Sequence, residues 1–414
     1  MVKISIIMPV CNCQEYLDES INSVLHQTLQ EWELLCVDDG STDNSLEILR
    51  DYQQRDERIK VYIQDNQGAG VARNLALEYA QGEYVAFLDA DDYYYDAEAL
   101  EEMYHKCEVY KTGACGSVIK LYRNGVIAED SGFKQVRNAL REKDILDYQD
   151  FQLDYGYYGF IYKLKILKQN HIFFPPYRRF QDPPFFVKAM HKIERFSFIE
   201  KSLYCYRTPT VAVRFNYIKT LDLLKGLIEN LEYSVSNNLE LLFARTLQRI
   251  EVEYSNIICH NISGNSTEML ELLLKANQIV KNFLKKEDYV IVPLQNILNS
   301  VVKSEQFAKS ELLRKMNECE KIYIYGAGNA TKDFCKYLEN QGLRKKVVSV
   351  IVTSKEGNPD EIDDIPVVSV NEYQYKEGDL VLITVTSIYR EEIMQKLEEL
   401  QVKRYEAVDV GMFF

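Results

Sequence analysis

Within residues 3–92 a short apolar run rich in β-formers alternates four times with a polar turn, and the first three turns open segments whose apolar residues recur at helical spacing. Lys3 to Pro9 (KISIIMP) breaks at proline, and Tyr16, Leu17, Ile21, Val24 and Leu25 follow as one helical face. Glu33 to Val37 (ELLCV) ends in Asp38-Asp39-Gly40-Ser41-Thr42-Asp43. There Ser41, Thr42 or Asp43 suits the cap of a helix carrying Leu46, Ile48 and Leu49. Ile59 to Ile63 leads through Gly68-Ala69-Gly70 into a helix with Val71, Leu75, Leu77 and Ala80, and Tyr84 to Leu88 is the fourth strand. Alternation at this density implies parallel βαβ units with right-handed crossovers. The expected product is an open α/β sheet with its polar loops gathered at one rim.

The fourth strand runs straight into three carboxylates, Asp89, Asp91 and Asp92. Such a cluster is costly unless it meets water, hydrogen-bond donors or a cation. The carboxyl end of a strand is where α/β sheets bind ligands, and oxygen donors there suit Mg2+ or Mn2+. Aspartates also cap helices and open turns, so the motif alone leaves both readings open.

Five segments stand in order, this one the last of them: SIIMPVCN (5–12), SVLHQT (23–28), VDDGSTDNS (37–45), NQGAGVARNLAL (66–77) and GEYVAFLDADD (82–92), with FPPYRRFQDPPFF (174–186) later. Together they make roughly residues 3–210 resemble the inverting family-two glycosyltransferases, which have the GT-A nucleotide-diphospho-sugar fold. The resemblance implies a mixed, mainly parallel sheet between helices and a nucleotide-diphosphate sugar donor, with UDP the expected nucleotide. The acceptor would be a glycan or lipid-linked glycan of a bacterial surface polysaccharide.

The implied donor-binding residues are Pro9, Val10, Asn12, Asp39, Arg73, Asp89 and Ala90. Pro9 and Val10 would offer backbone to the base. Asp39 would accept the imide N–H of uracil, which suits a carboxylate because the base edge there is a donor. Arg73, after a Gly-rich helix entry, would face the diphosphate together with free backbone N–H groups. Asp89 would touch the ribose or donor sugar, Asp91 would coordinate Mn2+ or Mg2+ between the phosphates, and Asp92 would support the site or cap a helix. Asp38 and Asp39 also read as plain turn residues, and Arg73 as a surface arginine.

Inverting transfer further requires a general base for the acceptor hydroxyl. The family often carries a Glu-Asp pair where this chain has Gln181-Asp182, which leaves Asp182 as the candidate. An aspartate ahead of Pro183-Pro184 also forms turns. Arg178 and Arg179 would pair with Asp182 or meet donor phosphates.

A net charge of −14 disfavours nucleic acid and offers no broad polybasic membrane anchor. The N-terminal apolar run is too short and too interrupted for a signal peptide or membrane span, so the expected location is cytoplasmic. Peripheral attachment at the inner face of the membrane and homo-oligomerisation stay open. The five histidines are widely spaced and form no metal motif, and an odd nine cysteines read as reduced thiols. Of the 30 tyrosines, Tyr155, Tyr157 and Tyr158 are candidates to stack on acceptor sugars, with packing the commoner use of such side chains.

Past residue 210 the pattern turns helical, with Leu221, Leu224, Leu227, Ile228 and Leu231 in phase. The expected organisation is a GT-A domain over 1–210, a helical connector over 211–318 and a small Rossmann-like accessory domain over 319–414. That last segment opens KIYIY-Gly326-Ala327-Gly328, a dinucleotide fingerprint that lacks its third glycine and an acidic residue ending its second strand. A docking module, or one for an unidentified ligand, is therefore preferred to NAD binding. Against a metal-dependent enzyme stands a non-catalytic nucleotide-sugar or dinucleotide-sensing scaffold. The presence of Asp39, Asp91 and Asp182 together favours the enzyme.

Overall fold

The computed structural model describes residues 1–129, 136, 138, 143–208, 214–262, 267–385 and 387–408, and of 301–306, 387 and 388 the backbone only. The chain divides into two compact units, Met1–Asn296 and Ile297–Phe414.

The first unit is built on ten strands: β1 (Ile4–Val10), β2 (Trp32–Asp39), β3 (Ile59–Gln64), β4 (Tyr84–Phe87), β5 (Tyr93–Tyr94), β6 (Ala114–Arg123), β7 (Val126–Glu129), β8 (Ile145–Asp147), β9 (Phe160–Lys163) and β10 (Arg195–Arg207). Their main order is β3-β2-β1-β4-β9-β6-β10-β5. β1 to β4 run parallel, and β9 is antiparallel to both β4 and β6. Helices α1 (Leu17–Leu25), α2 (Ser45–Arg55) and α3 (Ala69–Tyr79) make the first three crossovers, and α4 (Ala99–Tyr110) follows β5. β1 and β2 are buried along their whole length, as expected for parallel strands covered on both faces.

The strand order reverses between β1 and β4, which is where such sheets hold ligands. The ladder between these strands ends at Ile7 and Phe87, whereas β1 continues beside β2 to Val10. Pro9, lacking an N–H, therefore sits where β1 is paired on one side only. Of the three cap candidates only Asp43 serves α2, its carboxylate accepting the Ser45 N–H (2.9 Å). Ser41 and Thr42 instead bind Asn12 across the rim, as acceptor of its N–H (3.0 Å) and donor to its Oδ1 (2.8 Å).

After short helical turns at Tyr148–Phe151 and Leu164–Gln169 come α5 (Asp182–Ile193) and α6 (Tyr217–Ser236). Next are α7 (Glu240–Gln248), a π-helical turn (Arg249–Glu253), α8 (Ser255–Asn261), α9 (Thr267–Leu284) and α10 (Val292–Glu318). Up to residue 296 this helical segment belongs to the first compact unit. No helix among the described residues is long and apolar enough to cross a membrane.

The second unit holds β11 (Ile322–Tyr325), β12 (Val347–Val352), β13 (Glu361–Ile362), β14 (Ile365–Ser369), β15 (Leu380–Ile383) and β16 (Tyr405–Ala407), in the order β13-β14-β12-β11-β15-β16. Helices α11 (Asn329–Asn340) and α12 (Ser387–Glu399) complete it. All pairs but β13–β14 are parallel, a Rossmann-like arrangement. Gly326 has φ +117°, and a Cβ there would lie 2.7 Å from Val385 Cγ1, so the turn after β11 requires glycine. A cavity of about 900 Å3 opens above it, lined by Gly326, Thr353, Lys396, Glu356, Glu392 and Glu399 among others. All nine cysteines of the chain are free.

Candidate active site

The rim over β1, β2 and β4 is knitted by polar side chains. Asn12, with φ +53°, ties the loop after β1 to Ser41 and Thr42, and the Cys13 N–H donates to Ser45 Oγ (2.9 Å). Asp39, at the end of β2, accepts the N–H groups of Gln67 (2.8 Å) and Gly68 (2.8 Å) and Gln64 Nε2 (2.7 Å). It thereby fixes the Gly-rich entry to α3. A carboxylate has about four lone-pair sites, so one is left to meet a donor. Pro9 and Val10 lie buried at the end of β1, with Val10 opposite Asp38.

Arg73, one turn into α3, is 4% exposed and not a surface residue. Its Nη2 donates to Asp89 Oδ1 (2.6 Å), and the rings of Tyr157 and Phe174 flank the guanidinium at 5.1 and 5.2 Å. Nη1 lies 3.6 Å from Asp182 Oδ1, too far for a hydrogen bond, and neither atom has another partner. One buried cation is thus shared by two carboxylates that the sequence separates by more than ninety positions. Paired with one and facing the other, the guanidinium is held firmly protonated, chiefly by Asp89 against the penalty of burial.

The three carboxylates after β4 have divided roles. Asp89 also accepts the Tyr157 hydroxyl, 3.2 Å from each of its oxygens. Asp92 is buried, accepting the Tyr204 hydroxyl (2.7 Å) and the Arg207 N–H (2.7 Å), so it supports the turn. Burial first, then Asp89 and Asp91, push its carboxyl well above the usual range. Asp91 lies between buried Ala90 and Asp92 and is itself half-buried. Its carboxyl is pushed up to about 6 by burial and by Asp89. A carboxylate whose charge is so poorly compensated fits a divalent cation, which needs only one or two protein carboxylates when phosphates and water complete the shell. Among the described residues the only tight group of three carboxylates is elsewhere, at Asp96, Glu98 and Glu102, and Lys201 pairs with all three.

Asp182 opens α5. One oxygen is buried without a partner, yet the side chain keeps 38% exposure through the other. Burial raises its carboxyl to about 6, opposed by Arg73 and reinforced by Asp89. The ion pair Asp182 has is with Arg73, and Arg179 lowers its carboxyl further only through space. The Arg178 N–H goes to Asp222 Oδ2 (2.9 Å) and the Arg179 guanidinium lies 5.8 Å over the Phe215 ring. Asp182 lines a cavity of about 200 Å3 together with Tyr155, Tyr158, Arg179, Tyr206 and Arg249. Tyr158 stacks on Tyr206 at 5.1 Å, whereas Tyr157 is buried and works through its hydroxyl on Asp89. Asp154, fully buried, pairs with Arg249 (3.1 Å) at the base of this cavity. The roles of Tyr204, Arg207 and Asp154 have no local sequence signal, since their partners lie about ninety to over one hundred positions away.

The mixed, mainly parallel sheet with an aspartate cluster at its switch point is that of the GT-A fold class. Residues 5–172 match the profile of Glycosyl transferase family 2. Glycosyltransferase GlyG of Streptococcus pneumoniae serotype 4 is 30% identical over 215 residues, 49% of this chain and 70% of GlyG. The chain belongs to glycosyl transferase family 2. An uncharacterized glycosyltransferase of Bacillus subtilis, EpsJ, is 30% identical over 233 residues, 53% of this chain and 65% of EpsJ, so less than two thirds of that relative is spanned. Among solved structures, S. aureus TarS 1–349 in complex with UDP superposes with TM-score 0.54 at 23% identity, covering 67% of this chain and 81% of that one. Residues 318–408 match a second profile, C2185-like, N-terminal, in keeping with an accessory module.

Proposed function

We propose that this chain is a metal-dependent inverting glycosyltransferase, moving a sugar from a UDP-sugar to a hydroxyl of a glycan or lipid-linked glycan in bacterial surface polysaccharide synthesis. The observation that carries the reading is the Asp182 carboxylate. One of its oxygens is buried without a hydrogen-bond partner, its carboxyl is raised to about 6, and it stands beside a cavity across Arg73 from the aspartate cluster. A carboxylate tuned there is ionised at neutral pH and still basic enough to take a proton.

In the proposed step the acceptor oxygen attacks the anomeric carbon as the bond from that carbon to the donor phosphate breaks. The electron pair leaves on the nucleoside diphosphate, and the acceptor proton passes to Asp182, which later releases it to water. Asp39, with one lone pair to spare, accepts the base imide N–H, while Pro9, Val10, Asn12 and Ala90 line the same rim. Asp89, fixed by Arg73 and Tyr157, is placed for a ribose or sugar hydroxyl. A divalent ion, Mn2+ or Mg2+, held by Asp91 would screen the charge gathering on the departing diphosphate. UDP as the nucleotide is supported by the fold shared with a UDP-bound structure. The test is calorimetric titration of UDP with and without Mn2+. Micromolar affinity requiring both Mn2+ and Asp91 is expected, and metal-independent binding that survives Asp91→Ala would overturn the metal role.

A further inference from the structure

The loop that presents Asp182 is gripped from two sides. On the α3 side, Asn74 exchanges two hydrogen bonds with the Phe174 backbone (2.8 and 2.9 Å), and a Cβ at Gly70 would lie 3.3 Å from Gln181 Cγ. On the other side lies α6, whose residues 222, 226, 229 and 233 fall on one face. Asp222 accepts the Arg178 N–H, Glu229 accepts the Tyr177 hydroxyl (3.1 Å) and pairs with Lys188 of α5, and Tyr233 bonds His191 of α5 (2.9 Å). Between them Gly226 receives Phe180. A Cβ at 226 would stand 2.8 Å from both Phe180 Cδ1 and Phe180 O, so no larger residue fits without moving the loop.

Phe180 has φ +66°, a left-handed conformation that is strained for a non-glycine residue and persists only when its surroundings impose it. It is buried, with Arg249 5.6 Å over its ring and Tyr254 edge-on at 6.3 Å. Two residues later the chain enters α5 at Asp182. The backbone at 180 therefore sets where the carboxylate stands relative to Arg73.

We propose that α6 is a positioning element for the general base, in which Gly226, Asp222 and Glu229 hold residues 177–180 so that Asp182 is presented to the acceptor instead of collapsing onto Arg73. The inference rests on the reading of Asp182 as base. It makes the helical segment a working part of the transferase and not a spacer.

The test measures UDP release from a panel of UDP-sugars with water as acceptor, using the full chain and whichever sugar the wild type consumes fastest, with UDP–Mn2+ affinity measured in parallel. Gly226→Ala and Glu229→Ala are expected to lower kcat by up to about a hundredfold while donor KM and UDP affinity stay within about twofold, as for a misplaced catalytic group. Glu229→Gln, which keeps the acceptor for Tyr177, is expected to retain most of kcat. Lys275→Ala, which removes the pair with Glu232 from the far side, is expected to leave it unchanged. If Gly226→Ala fails to fold, the Glu229 pair carries the test. Wild-type kcat in the folded Gly226→Ala and Glu229→Ala proteins, or a loss matched by equal loss of UDP affinity, would overturn the positioning role. Asp182→Asn in the same panel separates the two ideas. An inactive Asp182→Asn beside a fully active Gly226→Ala sinks only the role of α6, whereas a fully active Asp182→Asn sinks the base assignment itself.

Discussion

Arg73 serves two carboxylates at once, Asp89 through a hydrogen bond of 2.6 Å and Asp182 across 3.6 Å. It lowers the pKa of Asp182 against the penalty of burial. Removing it as Arg73→Met leaves that penalty and the repulsion from Asp89, so the Asp182 carboxyl should titrate above its present value of about 6. The base is active when ionised, so kcat/KM should fall as pH drops through about 6 in the wild type, and the fall should begin at higher pH in Arg73→Met. An acid limb that stays in place, or moves to lower pH, would contradict this arrangement. Arg73→Lys keeps the charge but loses the planar fork that serves two carboxylates at once, and we expect at least a tenfold loss in kcat/KM, measured at pH 7.5. Asp39 and Asp182 are legible as positions because each ends or begins an element, and Asp91 because it stands in the turn after β4, all within recognisable runs. Arg73 is legible as a residue but not as a buried one, since its burial comes from Tyr157 and Phe174, which no local period connects to α3.

The parallel strands are pinned at the end opposite the site by a buried carboxylate. Glu33 of β2 accepts from Ser5 Oγ of β1 (2.6 Å) and the Gln81 N–H ahead of β4 (2.8 Å), and pairs with Lys60 of β3 (2.7 Å). Burial raises its carboxyl, but these donors outweigh burial and hold it below the ordinary value. Its stabilisation is therefore present above the ordinary Glu range and fades as pH falls through the lowered one. Glu33→Ala leaves these donors without their acceptor and should cost about 3 kcal/mol, measured by denaturant unfolding at pH 7. A loss under about 1 kcal/mol would mean that water replaces the carboxylate. The three βα units and the fourth strand were legible because a short apolar run or a period of 3.6 marks each segment by itself. The antiparallel half was not, because the pairing of β9 between β4 and β6 is decided by long-range packing around Phe87, Phe160 and Tyr162.

At the scale of the molecule, the helices beyond residue 210 are joined to the site by side chains that start far away in sequence. Gln152 Oε1 accepts the Leu242 N–H (2.9 Å), Arg245 donates to the Gln152 carbonyl, and Arg249 pairs with Asp154. Residues 1–296 should therefore fold without the second unit and retain UDP–Mn2+ binding and donor turnover, whereas residues 1–210 should lose turnover, measured as UDP release. Full turnover by residues 1–210 would show that these contacts are incidental. Periodicity revealed the helices and could not reveal their attachment, since Asp222, Gly226 and Glu229 are ordinary helix-face residues until the 177–180 loop meets them.

The central claim is that one aspartate takes the acceptor proton, and it is tested by the turnover of Asp182→Asn at saturating UDP-sugar and Mn2+. We expect UDP to bind as in wild type and turnover to fall by about 10²–10⁴-fold, the usual contribution of a general base. Wild-type turnover in that variant would show that the proton leaves by another route.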